Sequence, residues 1–172
     1  MELKPIQKIG FGGGCHWCTE AVFQMLKGVS VVEQGWIASE GEAQEFSEAV
    51  IVTYNAEEIS LEILIEIHLY THKSTSQHSM REKYRSAVYY FNAEDSEPIK
   101  ETIRSLQSKF NNEIITQTLA FKNFKASHEA IKNYYLKNPQ KPFCETYINP
   151  KLKLLIQQFT SVTIIEALTH IK

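Results

Sequence analysis

The spacing of apolar residues changes repeatedly along the chain between the period of a strand and that of a helix. Residues 5–11 alternate roughly, whereas Val22, Phe23 and Leu26 have the spacing of one helix face within residues 20–26. Runs of β-branched and aromatic residues predict strands over residues 29–32, 49–54, 86–91 and 113–121. Helix-start residues and apolar stripes predict helices that follow Ser60, Pro98 and Ala126 and run to about residues 70, 110 and 136.

Strands and helices are mixed over the whole length, which predicts an α/β (α+β) protein built as a two-layer sandwich. Residues 71–83 are polar and rich in histidine, so we expect a loop there. The chain has 172 residues and no repeat, low-complexity stretch or linker. We therefore expect a single domain over residues 1–172, with a C-terminal tail, residues 156–172, that packs on the body.

The charge balance excludes several classes of partner. Lys and Arg number 18 and Asp and Glu number 20, so the net charge is −2 and gives no basic face for nucleic acid. No apolar stretch approaches the roughly 20 residues that span a bilayer. The N-terminal residues lack the apolar run of a signal peptide. These features predict a cytoplasmic protein that binds neither membrane nor nucleic acid.

Three cysteines, Cys15, Cys18 and Cys144, are the first candidates for chemistry. An odd, small number argues against a secreted disulfide scaffold and leaves packing, metal binding or redox chemistry. The Cys15–Cys18 pair has the C-x-x-C spacing of both redox pairs and half zinc sites. A zinc site needs four ligands, and the chain has no second C-x-x-C, so zinc is the less favoured alternative.

The glycine run Gly12-Gly13-Gly14 lies between a predicted strand and a predicted helix and leads directly into Cys15. Glycines allow a tight turn and a close approach of a ligand to the backbone. A cysteine at a helix N-terminus is favoured as the thiolate, which is the reactive form. The bland alternative is a tight turn with a buried cysteine. The glycines and the neighbouring Cys18 together favour a nucleophile or a redox centre.

Residues 14–23, GCHWCTEAVF, resemble the G-C-F-W-[CG]-x-E-A-x-F signature of the A type of peptide methionine sulfoxide reductase. Further similar segments follow in the family's order, at residues 28–36, 47–54, 84–89, 133–139 and 143–152. The resemblance covers about residues 8–155. It implies a mixed sheet with a ferredoxin-like core and an enzyme that reduces the S epimer of methionine sulfoxide, free or in proteins.

The resemblance also implies roles for single residues. Cys15 would attack the sulfoxide sulfur, Glu48 would protonate the oxygen and Tyr84 would hydrogen-bond that oxygen. The apolar neighbours of Glu48 would allow its desolvation, which favours the protonated form that an acid needs. Cys144, on a segment that its composition predicts to be flexible, would resolve the sulfenic acid, with Cys18 as an alternative or a relay. Thioredoxin would reduce the disulfide, and no bound cofactor is needed. We expect a monomer.

The residues expected to bind substrate include two departures from the family. Trp17 would form an apolar wall for the substrate methyl group. His16 replaces a phenylalanine, and it would either substitute for that wall or stabilise the Cys15 thiolate. Trp36 replaces a tyrosine, and the family's aspartate falls on Ser79 or a neighbour. Two other functions therefore stay open: a C-x-x-C thiol–disulfide oxidoreductase, and an inactive relative that binds oxidised methionine or zinc.

Overall fold

The computed structural model describes residues 5–171 and contains a six-stranded mixed sheet in the order β5-β4-β1-β3-β2-β6. The strands are β1 Ile6–Gly12, β2 Val29–Ala38, β3 Ser47–Asn55, β4 Ala87–Tyr90, β5 Gln117–Ala120 and β6 Asn123–Ala126. The helices are α1 His16–Gln24, α2 Leu61–Thr71, α3 Ser96–Leu106, α4 Tyr134–Lys137 and α5 Asn149–Gln158, with a π-helical turn at Cys144–Ile148. Within residues 5–171, no helix is long and apolar enough to cross a membrane.

The central part of the sheet has ferredoxin-like topology. The elements β1-α1-β2-β3-α2-β4 follow one another in the chain, and the four strands lie in the order β4-β1-β3-β2 with antiparallel neighbours. Strand β6 adds to β2 in the antiparallel sense, and β5 adds to β4 in the parallel sense. The predicted fold class, a two-layer sandwich with a mixed sheet and a ferredoxin-like core, is confirmed.

The alternation in β1 separates the two faces of the sheet. Ile9 and Phe11 are buried in the core beneath the helices, where Phe11 stacks on Phe23 of α1 at 4.6 Å between ring centroids. Gly10 points to the opposite face, where an added Cβ would meet Ile37 Cδ1 at 2.8 Å and Tyr89 Cβ at 2.9 Å. A glycine at this position lets large side chains pack across that face.

Strands β1 and β2 and helix α2 begin within one residue of where the sequence predicts them, and the strongest helix signal is confirmed. The Ser60 hydroxyl accepts the Ile63 N–H at 3.2 Å and caps α2. Helix α1 starts one turn earlier than its apolar stripe predicts, because Cys15 serves as the residue before its first turn. The polar segment after α2 is a loop, as predicted.

Two predicted elements are wrong in their bounds, and one is wrong in its type. Residues 126–136 are not a helix, because Ala126 ends β6 and pairs with Gly35, and only Tyr134–Lys137 is helical. Strand β2 runs on to Ala38 because β3 pairs with it as far as Ile37 and β6 pairs with it from Gly35 to Ala38. The strand predicted over residues 113–121 forms only at Gln117–Ala120, where β4 supplies a partner.

The C-terminal residues lie against the helix layer. Leu152 and Leu155 of α5 and Leu168 beyond it are buried in the main core. A bridge between Leu26 and Thr163 joins this region to the end of α1.

Candidate active site

The glycine turn joins β1 to α1 and places Cys15 at the start of the helix. The Cys15 carbonyl accepts the Cys18 N–H at 3.1 Å and the Thr19 N–H at 3.2 Å. Gly13 has a φ of 155°, and a Cβ added there would collide with the ring of His72. The sequence therefore needs glycine at this position to bring Cys15 to the helix N-terminus.

The buried His68 and the half-buried His72 support the glycine turn. The His68 Nε2–H donates to the Gly12 carbonyl at 2.8 Å, and the His68 ring stacks on His72 at 4.1 Å. The other side of His72 contacts the Ser86 hydroxyl, with Nε2 2.8 Å from Oγ. Burial lowers the pKa of His68 to about 3 and also lowers the pKa of His72. Both rings are therefore neutral near pH 7 and support the turn without adding charge.

Arg81 connects the glycine turn to the loop that carries Tyr84. Its Nη1 donates to the Gly13 carbonyl at 2.9 Å and to the Tyr84 carbonyl at 2.8 Å. The same loop is held to β3 because the Glu48 N–H donates to the Lys83 carbonyl at 3.0 Å. Tyr84 is thus fixed near the start of β3.

The thiols of Cys15 and Cys18 have pKa values that are shifted in opposite directions. The pKa of Cys15 is lowered, first because the Cys18 thiol can donate to its sulfur, and then because of the Trp17 N–H. Burial and the charge of Glu48 oppose this effect. The pKa of Cys18 is strongly raised, because it keeps the proton that it donates to Cys15 and because it is buried. Of the two, Cys15 is therefore the better nucleophile.

The carboxyl group of Glu48 lies beside the first turn of α1. Glu48 is only 6% exposed. Its Oε1 accepts the His16 N–H at 3.2 Å and lies 3.4 Å from His16 Nε2, and its Oε2 lies 3.7 Å from Lys83 Nζ. Burial agrees with the expectation from sequence, but the surroundings are not apolar. Neighbouring Ala49 points to the opposite face of the sheet and Phe46 is exposed.

The imidazole ring of His16 contacts the Gly35 carbonyl and Glu48. Its Nδ1 lies 2.8 Å from the Gly35 carbonyl, which can only accept, so Nδ1 carries a proton and Nε2 faces Glu48. The edge of the ring contacts Trp36 at 5.0 Å between centroids. We define the side chains of His16, Glu48 and Lys83 as the polar wall of the site.

A second group of side chains near Cys15 is aromatic. Trp17 stacks on Tyr134 with 4.1 Å between centroids and 1° between planes, and Phe143 meets Trp17 edge-on at 5.5 Å. All three rings are half-buried. We define Trp17, Tyr134 and Phe143 as the aromatic wall of the site.

The position of Tyr134 depends on a buried carboxylate. Glu20, 1% exposed, accepts the N–H of Asn133 at 3.0 Å and of Tyr134 at 3.2 Å. Its Oε1 also accepts the Gln34 Nε2 at 3.0 Å. Burial raises the pKa of Glu20, and these three donors oppose that rise. Glu20 thereby anchors the aromatic wall to α1 and β2.

Cys144 lies on a different element from the other two cysteines, although its charge contributes to the raised pKa of Cys18. It is fully buried at the start of the π-helical turn, and its thiol donates to the Asn138 carbonyl at 3.5 Å. Burial raises the pKa of Cys144. The segment that composition predicts to be flexible is therefore an ordered turn. All three cysteines are free thiols.

The structure thus brings together most of the residues chosen from sequence: Cys15, Cys18, His16, Trp17, Trp36, Glu48 and Tyr84. Sequence reasoning missed Lys83, whose pKa is raised by a hydrogen bond to the Tyr84 side chain and by Glu48. It also missed Lys151, a half-buried lysine whose pKa responds to Cys18 and Cys15. Lys151 lies in a segment of the family resemblance and Lys83 directly precedes another, but no spacing rule singles out a lysine.

No metal-binding cluster appears in the part of the chain that the structure describes, where no three His, Cys, Asp or Glu side chains converge as ligands.

The sequence is similar to a family of known proteins over most of its length. Residues 7–163 match the family model described as peptide methionine sulfoxide reductase. The peptide methionine sulfoxide reductase MsrA of Acinetobacter baumannii (strain SDF) is 30% identical over 169 residues, which covers 90% of this chain and 96% of the relative.

Solved structures show the same fold. Mxr1 from Saccharomyces cerevisiae in reduced form superposes with a TM-score of 0.71 at 24% identity, over 85% of this chain and 94% of Mxr1. Mxr1 in complex with Trx2 gives a TM-score of 0.59 at 22% identity, over 75% of this chain and 87% of Mxr1.

Proposed function

This chain belongs to the peptide methionine sulfoxide reductase family, and on that premise we propose that it reduces methionine sulfoxide with Cys15 as nucleophile and Glu48 as proton donor. One observation carries this assignment. The first turn of α1 presents a thiol of lowered pKa at Cys15, and the next residue's N–H holds a buried carboxyl group at 3.2 Å. A nucleophile for sulfur and an acid for oxygen therefore face the same small space.

In the first half of the reaction the Cys15 sulfur attacks the sulfoxide sulfur while Glu48 gives its proton to the oxygen. The hydroxyl of Tyr84 hydrogen-bonds the same oxygen. The oxygen then passes to the Cys15 sulfur: a bond forms between them while the S–O bond of the substrate and the transient bond between the two sulfurs break, and Cys15 becomes a sulfenic acid. The substrate sulfur gains the electron pair and leaves as the thioether of methionine.

In the second half a thiol attacks the sulfenic sulfur, which forms a disulfide and releases water. Cys18 is placed for the first attack, because its thiol already faces Cys15. Cys144 is the final resolving thiol in our proposal. Its thiol attacks Cys18 in the Cys15–Cys18 disulfide, which forms a Cys18–Cys144 disulfide and releases Cys15 as a free thiol. Thioredoxin then reduces that disulfide, a role supported by the solved complex of Mxr1 with Trx2.

The two walls support the choice of substrate. A methionine sulfoxide has a methyl group on one side of sulfur and a polar oxygen on the other. The aromatic wall suits the methyl group, and the polar wall suits the oxygen. We propose the S epimer, free or in proteins, as the substrate, which makes the chain a protein-repair enzyme.

The test is turnover by the wild type and by Cys15→Ser. NADPH consumption is followed with thioredoxin, thioredoxin reductase and each epimer of dabsyl-methionine sulfoxide separately. We expect turnover of the S epimer alone by the wild type and none by Cys15→Ser. Circular dichroism checks that the variant is folded, and Lys100→Gln on α3 is the control.

Wild-type-like turnover in Cys15→Ser would remove this residue from the mechanism. Consumption of NADPH with a disulfide substrate but with neither sulfoxide would instead favour the thiol–disulfide oxidoreductase.

A further inference from the structure

Three lysines stand over three aromatic side chains that surround the candidate site. Lys83 Nζ is 5.1 Å from the centre of the Tyr84 ring, Lys141 Nζ is 4.8 Å from that of Tyr134, and Lys125 Nζ is 5.9 Å from that of Trp36. Cation–π contacts of this kind hold a lysine head group above a ring without removing its charge. We call Lys83, Lys125 and Lys141 the cationic rim.

The strand register explains why Lys125 belongs to this site. Glu48 on β3 lies directly opposite Trp36 on β2, and Trp36 lies directly opposite Lys125 on β6. Side chains opposite each other in an antiparallel ladder point to the same face. Glu48, Trp36 and Lys125 therefore form one row across three strands, on the face that carries Cys15.

The other two lysines reach the site from separate elements. Lys83 is on the loop after α2, and its side chain is 56% exposed although Nζ is 3.7 Å from Glu48. Lys141 precedes the π-helical turn, and its ring partner Tyr134 stacks on Trp17. The three lysines thus come from three separate segments of the chain, and each lies over an aromatic ring of the candidate site.

Few carboxylates lie close enough to the lysines of the cationic rim to neutralise their charge. In residues 5–171, no carboxylate oxygen lies within 4.0 Å of Lys125 Nζ or Lys141 Nζ. The acidic groups around it are the buried Glu48, the exposed Glu82 beside Lys83, and the exposed Glu145, whose N–H bonds the Lys141 carbonyl. A chain of net charge −2 therefore presents a locally cationic opening around Cys15.

We propose that the cationic rim selects methionine sulfoxide within acidic peptide segments, with aspartate or glutamate beside the oxidised residue. The inference rests on the proposed function and names its preferred substrate class. A lysine above each edge of the site attracts a carboxylate that flanks the sulfoxide and repels a flanking lysine. The aromatic rings hold each lysine ammonium beside the site in the absence of substrate. The preference for acidic peptides therefore needs no rearrangement of the lysines when the peptide binds.

The experiment uses three peptides of equal length that differ only in the two residues beside one methionine S-sulfoxide: aspartate, asparagine or lysine. Aspartate and asparagine have nearly the same shape, so their comparison isolates charge. Dithiothreitol is the reductant, which removes any contribution from thioredoxin binding. At low salt we expect kcat/KM to fall from aspartate to asparagine to lysine, by about tenfold over the series, and to level out near 0.5 M salt.

Substitutions of single lysines test which of them cause the preference for the aspartate peptide. Lys125→Gln and Lys141→Gln should each reduce the aspartate-to-lysine ratio, and Lys125→Glu with Lys141→Glu should invert it. Lys100→Gln removes the same charge from α3, which packs against β5 at the opposite edge of the sheet, and should leave the ratio unchanged.

The neutral peptide separates the two proposals. Equal rates for all three peptides, with the asparagine peptide turned over, would overturn the rim and leave the reductase function standing. A charge preference that persists in the double reversal variant would also overturn the rim. Absence of turnover for every peptide would overturn both.

Discussion

One wall near Cys15 is polar and bonded to the first turn of α1, and the other is aromatic and half open to solvent. Glu48 in the polar wall is held at fixed distances by His16 and Lys83, which come from different elements. The aromatic wall is held mainly by ring stacking, and one buried carboxylate fixes its position. Directional bonds suit the transfer of a proton, whereas stacked rings suit an apolar group that only has to fit.

Because the two walls are proposed to contact different parts of the substrate, substitutions in them should change different kinetic parameters. Changes to the polar wall should lower the rate of oxygen transfer, and changes to the aromatic wall should weaken substrate binding.

The largest effect is expected from Glu48→Gln. Glutamine keeps the size of the side chain but cannot supply a proton, so the single-turnover rate should fall about 10²–10⁴-fold. The measurement is the burst of methionine formed from the S-sulfoxide in the absence of external reductant. Alkylation of Cys15 by iodoacetamide should persist and shows that the nucleophile is intact. A loss below about threefold would mean that Glu48 is not the acid.

Recycling should be nearly abolished in Cys144→Ser and impaired in Cys18→Ser, because the proposed relay uses both thiols. With Cys144 as the final resolving thiol, Cys144→Ser should complete one turnover and then stall with thioredoxin, since the Cys15–Cys18 disulfide is not passed on. Burst size and steady-state rate, measured together for Cys144→Ser and Cys18→Ser, give the order of the thiols.

Mass spectrometry of stalled Cys144→Ser should find Cys15 joined to Cys18. If Cys18→Ser stalls while Cys144→Ser cycles fully, the order is reversed. Full cycling in both variants would mean that either thiol suffices.

An intermediate effect is expected from Trp17→Ala. The variant removes the ring nearest the substrate methyl and the partner of Tyr134, so KM should rise about tenfold while kcat changes less. Trp17→Phe keeps an aromatic face and should restore most of the affinity. Thermal unfolding of both variants checks that the core is retained. A fall in kcat with unchanged KM would assign Trp17 to the chemistry instead.

The smallest effect concerns the pH at which Cys15 becomes reactive. Its pKa is lowered chiefly by the Cys18 thiol, so Cys18→Ala should raise that pKa and move the alkylation profile of Cys15 to higher pH. Because the thiolate is the reactive form, the variant should react more slowly than wild type below the ordinary thiol pKa. Both proteins carry Cys144→Ser, and mass spectrometry follows alkylation at Cys15, because the reference protein keeps Cys18 as a second thiol.

Cys18→Ser, whose hydroxyl still donates, should shift the profile less than Cys18→Ala. Superimposable profiles would show that Cys18 does not stabilise the thiolate.

Much of the N-terminal half could be predicted because its signals are local. The glycine turn, the position of Cys15 at a helix start and the capping of α2 by Ser60 each depend on residues within one turn of the chain. The family resemblance then pointed to Glu48, more than thirty residues away, which the structure places against His16.

The region after β5 was poorly predicted because its structure depends on distant partners. Residues 123–126 form a strand only because β2 offers an open edge, and their own sequence has no strong strand pattern. The helix predicted over residues 126–136 fails for the same reason. Asn133 there takes a left-handed conformation with φ 57°, while Glu20 binds the next backbone N–H.

The sequence was enough to single out Cys15 as the candidate nucleophile, because a thiol's reactivity at a helix start follows from the chain immediately around it. It also determined, through the resemblance, which carboxyl group and which tyrosine to consider. Only the tertiary structure decided that His16 faces Glu48 rather than Cys15, that Cys144 is buried in an ordered turn, and that Lys83 joins the site. Those facts depend on distances and bond directions between elements far apart in the chain, and hydrophobic periodicity carries no information about either.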